Sequence, residues 1–260
     1  MKRPIIGFCL VLLVGYALVG LLNLPTFNVE LLKLRGFCRL CNLTNANLRE
    51  IDLSGADLYY ANLNGAALNG TDLTGAVLNG TDLTGVDLTG ADLRWANLSK
   101  VNFRNRNFEN RDLHGVNFSG ADLTGANLVG ADLTGVVVWW ANLSQTDLRN
   151  RNFRNRDLRW VNLTEADLRN ANLSGADLGE AYLIQTDLRG ADMRSANLRC
   201  TNLSGADLTG ANLEGTRNIT KAVFNNTTMP DGTTNNSSSG NSNKISEYCK
   251  IWISTNSEPN

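Results

Sequence analysis

The chain repeats itself every five residues, and that period excludes most of the ways a polypeptide can fold. From Leu43 to Leu213 there are 35 consecutive units without a slip; the centre of each is denoted i. The centres are 29 Leu, four Phe (Phe103, Phe108, Phe118, Phe153), Val138 and Met193. Position i−1 is Asp or Asn in 31 units, the exceptions being Ala67, Val77, Val137 and Tyr182. Position i−2 is Ala in 19 units and Thr or Val in five each, while i+2 is often Gly. Three further units can be read around Ile219, Phe224 and Met229 if one residue is inserted beyond Leu213. A period of five matches neither a 3.6-residue helix nor a long two-residue alternation. Within one unit, however, i−2 and i share parity, so an extended triplet points both to one side. The other two residues must turn the chain. Small i−2 and large i residues then line an interior, and Gly at i+2 permits a tight corner. Asp or Asn at i−1 points outward, where its short side chain can bond corner N–H groups. The expected fold is all-β, a solenoid whose coils stack at roughly the ~4.8 Å strand spacing.

Units such as Ala-Asp-Leu-Thr-Gly at 121–125 and Ala-Asn-Leu-Ser-Gly at 171–175 resemble the pentapeptide-repeat family. The resemblance implies a right-handed quadrilateral β-helix with about four units per coil. That gives roughly nine coils, ~40–45 Å of rod at the strand spacing. Two flanks look like cyanobacterial members. They are Leu31-Leu32 with Cys38-x-x-Cys41-Asn42-Leu43 before the repeats, and Thr227-Thr228-Met229-Pro230-Asp231-Gly232 after them. The organisation expected is an N-terminal hydrophobic helix (1–24), a linker and N-terminal cap (25–40), the β-helix (41–229) and a polar, largely disordered tail (230–260). Within the tail, the stretch from Ile245 to Ile253, with Tyr248, Cys249 and Trp252, could dock back as a short element.

Residues 5–24 carry no charge over 20 positions. As a helix that run is ~30 Å long, about one bilayer core. It reads as an uncleaved membrane anchor or as a cleaved signal segment. Its length and the absence of a clean small-residue cleavage site favour the anchor. Lys2 and Arg3 favour a cytoplasmic N-terminus, against the weaker opposing signal of Lys33, Arg35 and Arg39. The repeats would then be periplasmic or thylakoid-lumenal. In such an oxidising compartment Cys38 and Cys41 could form a disulfide; a reduced cap is the alternative. No second pair with that spacing follows to complete a zinc site.

With positions 20 apart stacked on one face, Arg149, Arg169 and Arg189 form a ladder. Trp140 and Trp160 form another, beside Trp139 and Arg159. Exposed Trp beside Arg is the chemistry of interaction hot spots, so these seven residues are the candidate partner-binding set. Arg106, Arg111, Arg151 and Arg156 occupy i−2, an interior position where a lone charge is prohibitive. Each must leave past a distorted edge or pair inside. The two pairs are 45 residues apart, and blocks 91–135 and 136–180 match at 26 of 45 positions, which suggests an internal duplication.

Composition narrows function. Lys+Arg number 24 against 25 Asp+Glu, net −1, so bulk electrostatic attraction to nucleic acid is excluded. His114 is the only histidine, which removes His clusters and His–His acid–base pairs. No nucleophile–base pair, phosphate loop or metal-ligand cluster stands out. The expectation is therefore a non-enzymatic, membrane-tethered scaffold binding an unknown protein, with no cofactor and no small-molecule substrate. The resemblance supplies an alternative, since some family members mimic DNA and bind topoisomerase. Ice binding by the hydroxyl row Thr84, Thr124, Ser144, Thr164, Ser204 is a third reading, interrupted by Arg104 and Ile184.

Overall fold

A computed structural model describes residues 24–236, so the apolar run read as an anchor and the tail from 237 lie outside the described residues. Two compact units are present, one up to Asn97 and one from Leu98.

In both units the chain pairs in parallel with itself 20 residues on, always through i−1 positions. Asn42 pairs with Asn62 and Val77 with Asn97 in the first unit. Asn142 pairs with Asn162 and Asp177 with Asn197 in the second. Four five-residue sides therefore make one coil. The reason this unit repeats so strictly is visible in its backbone donors, all of which find partners. In residues 171–175, Ala171 N–H donates to Leu168 O across the corner (3.0 Å). Asn172 N–H donates to Arg151 O on the preceding coil (2.9 Å). Leu173 and Gly175 N–H donate to Asp192 O and Arg194 O on the following coil (2.7 and 2.8 Å). Ser174 N–H is left, and it donates to Asn172 Oδ1 (3.0 Å). The Asp or Asn at i−1 thus satisfies the one donor that neither corner nor ladder can reach.

Each corner places i+2 at positive φ, between Leu O and the N–H three residues on, which is the signature of a type II turn. Gly175 (φ 67°) suits this region, and Asn170 (φ 56°) tolerates it. Leu or Phe at i and Ala at i−2 are buried from Leu43 to Leu208 with few exceptions, forming the interior. Phe103, Phe108 and Phe118 meet edge to face, with centroids 5.2–6.2 Å apart.

The coil edges at both ends carry caps, as unpaired strand edges require. Helix α1, Pro25–Arg35, opens with Pro in its first turn and closes at Gly36, whose left-handed backbone (φ 68°) lets its N–H bond Leu32 O. Buried Leu32 and Val29 face the first coil, and Asn28 Nδ2 donates to Asn42 O (2.7 Å). This helix lies in the segment read as linker and cap. Cys38 and Cys41, left open between disulfide and thiols, are disulfide-bonded. At the other end β1 (Thr227–Thr228) pairs antiparallel with β2 (Thr234–Asn235).

One expectation is corrected. The inserted residue does not lie directly beyond Leu213 with Ile219 as a centre. Asn197 still pairs with Arg217 at a separation of 20, whereas Asn202 pairs with Val223 and Asp207 with Thr228, at 21. The extra residue is absorbed by the 3₁₀ turn Ile219–Lys221, which buries no side chain. Phe224 remains interior (5% exposed).

Candidate interaction surface

The candidate residues fall on two edges of the second unit. Arg149, Arg169 and Arg189 follow the side centred on Leu148, Leu168 and Leu188. Each guanidinium grips the Asp two residues before it: Arg149 Nη2–Asp147 Oδ2 is 2.6 Å, and Arg169–Asp167 and Arg189–Asp187 are 2.5 Å. Each Nε also lies 3.5–3.8 Å from the Asp of the next coil: Asp167, Asp187 and Asp207. The result is an alternating ladder in which the Arg side chains are occupied by carboxylates. Hydrogen bonding from Arg189 holds the Asp187 carboxyl below its ordinary range, and Arg149 does the same for Asp147.

The tryptophans lie two sides away, on the diagonally opposite edge, so the seven residues do not form one patch. Trp140 and Trp160 are i+2 residues at φ 57° and 65°, the corner conformation that usually goes to Gly or Asn. A bulky side chain there costs roughly 1–2 kcal/mol of backbone strain. Their N–H groups donate to Arg159 O and Gly179 O, both at 3.2 Å. Trp139 packs edge-on to Trp140, with centroids 6.1 Å apart, and Arg159 is held by Asp157 (2.7 Å). The two corner tryptophans line a groove of about 420 Å³ with Lys100, Gly120, Asn162 and Tyr182. Trp140 is 66% exposed. Burial pushes the Tyr182 hydroxyl up to about 12. Tyr182 replaces the usual Asp or Asn at i−1, so its place in the groove was signalled by that break in the repeat.

Hydroxyls of the third row are engaged by their own turns: Thr124 Oγ1 and Ser204 Oγ donate to Asp122 Oδ1 and Asn202 Oδ1, both at 2.6 Å. Among the described residues no group of three or more His, Cys, Asp or Glu could hold a metal ion. No described helix is long and apolar enough to cross a membrane.

Four-sided coils of 20 residues, closed by Asx-supported corners, define the class as a parallel β-solenoid of non-catalytic repeat units. The family model for pentapeptide repeats matches residues 38–75, 68–105, 107–139, 141–179 and 176–215, and the chain belongs to that family. It is 34% identical to HetL, a pentapeptide repeat protein involved in heterocyst differentiation regulation from the cyanobacterium Nostoc sp. strain PCC 7120. That alignment covers 76% of this chain and 91% of HetL, with a TM-score of 0.47. A trypsin-treated form of QnrB1, a plasmid-mediated fluoroquinolone resistance protein, shares the fold at 19% identity and TM-score 0.56, over 69% of this chain and 90% of its own. A pentapeptide repeat protein of the Arabidopsis thaliana thylakoid lumen is 32% identical over 47% of this chain and 68% of its own, with a TM-score of 0.19. No curated protein sequence matches significantly.

Proposed function

We propose that the protein is a rigid, non-enzymatic scaffold, tethered to a membrane through residues 5–24, that binds a protein partner through the Trp140–Trp160 groove. The observation that carries this reading is the position of the two tryptophans. They occupy strained corners that Asn fills elsewhere (Asn150, Asn155, Asn170), and they turn an apolar groove toward solvent. Strain kept where a cheaper residue would fold equally well marks a functional surface. Trp and Arg are also the side chains that dominate interface energetics. The Arg149–Arg169–Arg189 ladder is satisfied internally and serves the coil stack. It also neutralises a row of Asp, which weighs against the DNA-mimic alternative.

The test is affinity capture from source membranes with wild type and with Trp140→Asn/Trp160→Asn. Asn keeps the corner conformation, so the variant folds with an unchanged circular dichroism spectrum. Loss of the captured partner is expected; a folded variant that keeps every partner refutes the groove. For topology, protease added outside sealed vesicles of known orientation is expected to spare the repeats when their side faces inward. Digestion on the cytoplasmic side overturns the lumenal or periplasmic placement, which the Cys38–Cys41 disulfide favours.

A further inference from the structure

One edge of the second unit is buried where its geometry should leave it open. The i+2 corners Lys100, Gly120, Trp140, Trp160, Glu180 and Cys200 follow one another at 20-residue spacing along that edge. Burial rises steadily toward its end: Trp140 is 66% exposed, Trp160 half-buried, Glu180 9% and Cys200 0%. The adjoining i−1 row behaves alike, with Asn162, Tyr182 and Asn202 at 8%, 9% and 8%. Stacking of coils is not the cause, because the corners Asn150, Asn170 and Gln185 sit between coils in the same way and are exposed. The 3₁₀ turn Ile219–Lys221 stacks beside Cys200 but not beside Glu180 or Asn162, one and two coils further back.

Cys200 is moreover disulfide-bonded, while Cys38 and Cys41 are bonded to each other. Cys9 and Cys249 are the two cysteines left. Cys9 stands inside the uncharged run 5–24, and a membrane anchor would hold it away from the repeats. Cys249 is within reach. Gly205, the corner after Cys200, donates its N–H to Asn225 O (2.8 Å), and Asn226 N–H donates to Asn236 Oδ1 (2.7 Å). The described chain therefore ends beside this edge. The 13 residues from Asn236 to Cys249 span up to ~43–47 Å when extended, several times what one side of the coil requires. Around Cys249 lies the one apolar stretch of an otherwise polar tail: Ile245, Tyr248, Ile251, Trp252 and Ile253. Lys250 adjoins it, matching the carboxylate of Glu180.

We propose that residues 245–253 form a strap, latched by a Cys200–Cys249 disulfide, that covers the edge from Cys200 to Trp160 and closes the distal half of the aromatic groove. The inference rests on the groove being the docking surface. Latching joins the two sulfurs as both thiols lose their protons and together give two electrons to an oxidised dithiol carrier, which leaves as a dithiol. Reduction by a reduced dithiol reverses the step, frees the strap and lengthens the groove available to a partner. The scaffold then has a redox-set docking surface.

The test uses the full chain and no partner, so it can fail while the docking reading stands, and the reverse. Under non-reducing conditions, mass spectrometry of a digest is expected to yield a Cys200–Cys249 peptide. A Cys200–Cys9 peptide, or Cys200 alkylated without prior reduction, overturns the latch. Collisional quenching of Trp160, isolated as the difference between each protein and its Trp160→Phe counterpart, is expected to increase in Cys249→Ser. A Cys38→Ser/Cys41→Ser protein, which loses only the cap disulfide, should retain wild-type quenching. Unchanged quenching in Cys249→Ser refutes the strap even if the disulfide is found.

Discussion

Residues 158–217 and residues 126–157 are written in the same five-residue unit, yet only the first forms an unbroken ladder. From Asn142↔Asn162 to Asn197↔Arg217 every side of every coil is bridged to the next. Residues 126–138 and 147–157 share no backbone hydrogen bond among the described residues, although each stretch is bonded normally to its other neighbour. Three of four sides are open there, and Asp122↔Asn142 holds the fourth. The difference lies at i−2. Where that position is Ala, coils close; here it is Arg151 and Arg156, both half-buried. Arg151 Nη1 donates to Ala131 O at 3.1 Å. In the regular scheme that carbonyl belongs to the N–H of Asn152, so the guanidinium has taken a backbone donor's place. Its Nε is buried without a hydrogen-bond partner. Interior threonines report the same change. Thr186 and Thr201 donate across coils to Leu163 O and Leu178 O (2.8 and 2.7 Å). Thr146, at the margin of the opening, turns back to Leu143 O of its own coil (2.6 Å). A solenoid is held by nearest-neighbour terms, so one oversized interior side chain spoils one interface and spares the rest.

The largest expected contrast is in the core. Leu168 is fully buried between closed coils, so Leu168→Ala should cost about 2–5 kcal/mol through lost burial and the cavity left behind. Leu133 faces the opening and is only half-buried, so Leu133→Ala should cost about 1 kcal/mol or less, since half-burial leaves less transfer energy to lose. Urea unfolding of both variants measures the difference; equal losses would mean that the opening does not weaken the core beside it.

The period, the outward Asp or Asn, the Gly-type corners and the 20-residue columns were legible because each is a local demand made in every unit. The interior arginines were legible as a conflict with burial, but not their resolution. Whether such a side chain pairs inside, leaves, or pries coils apart depends on packing that no spacing encodes. The grouping of Trp140 with Arg149 failed for a simpler reason. Residues nine apart in a 20-residue coil stand on nearly opposite edges, and that arithmetic was in the sequence. So was the alignment of Cys200 with Trp140 and Trp160, each 20 beyond the last; sorting all corners into columns would have found it. The site of the inserted residue near 218 was hidden, because the three residues around it offer no better centre than Ile219.

Of intermediate size is the effect of removing the arginine. Arg151→Val/Arg156→Val places a side chain already used at i−2, as in Val136 and Val161, and removes a buried donor without a partner. An unsatisfied buried donor costs about 1–3 kcal/mol, against about 0.5–1.5 kcal/mol for the bond to Ala131 lost with it. A net gain of about 1 kcal/mol is expected, with the coils closing. Hydrogen exchange reads this directly. In wild type the amides of Leu128, Leu133 and Asn152 should exchange faster than those of Leu168, Leu173 and Asn172. In the variant the two groups should converge. A variant that is less stable and equally unprotected would show that the guanidinium holds the coils together.

The smallest effect separates the ends of the Arg–Asp ladder. Asp187 lies between Arg189 of its own turn and Arg169 of the preceding coil, at 2.5 and 3.5 Å. Asp147 has Arg149, but Val129 stands where a preceding arginine would be. Both carboxyls titrate below their ordinary value, first because of the hydrogen bond from their own Arg. The sign follows from linkage. A depressed folded value means that the stabilisation is complete above the unfolded value of ~3.9 and is lost as pH falls through the folded one. Both pairs are largely exposed, so each contributes at most a few tenths of a kcal/mol, less in salt. Asp187→Asn retains the turn bond, since Asn serves at i−1 throughout, and removes only the charge. It should therefore flatten the loss of stability below about pH 4 more than Asp147→Asn does, with little change at neutral pH. Acid titration of unfolding at low and high salt measures the pair. Equal responses would mean that the arginine of the preceding coil adds nothing, and that the ladder is a row of separate turns, not a stack bound along the solenoid.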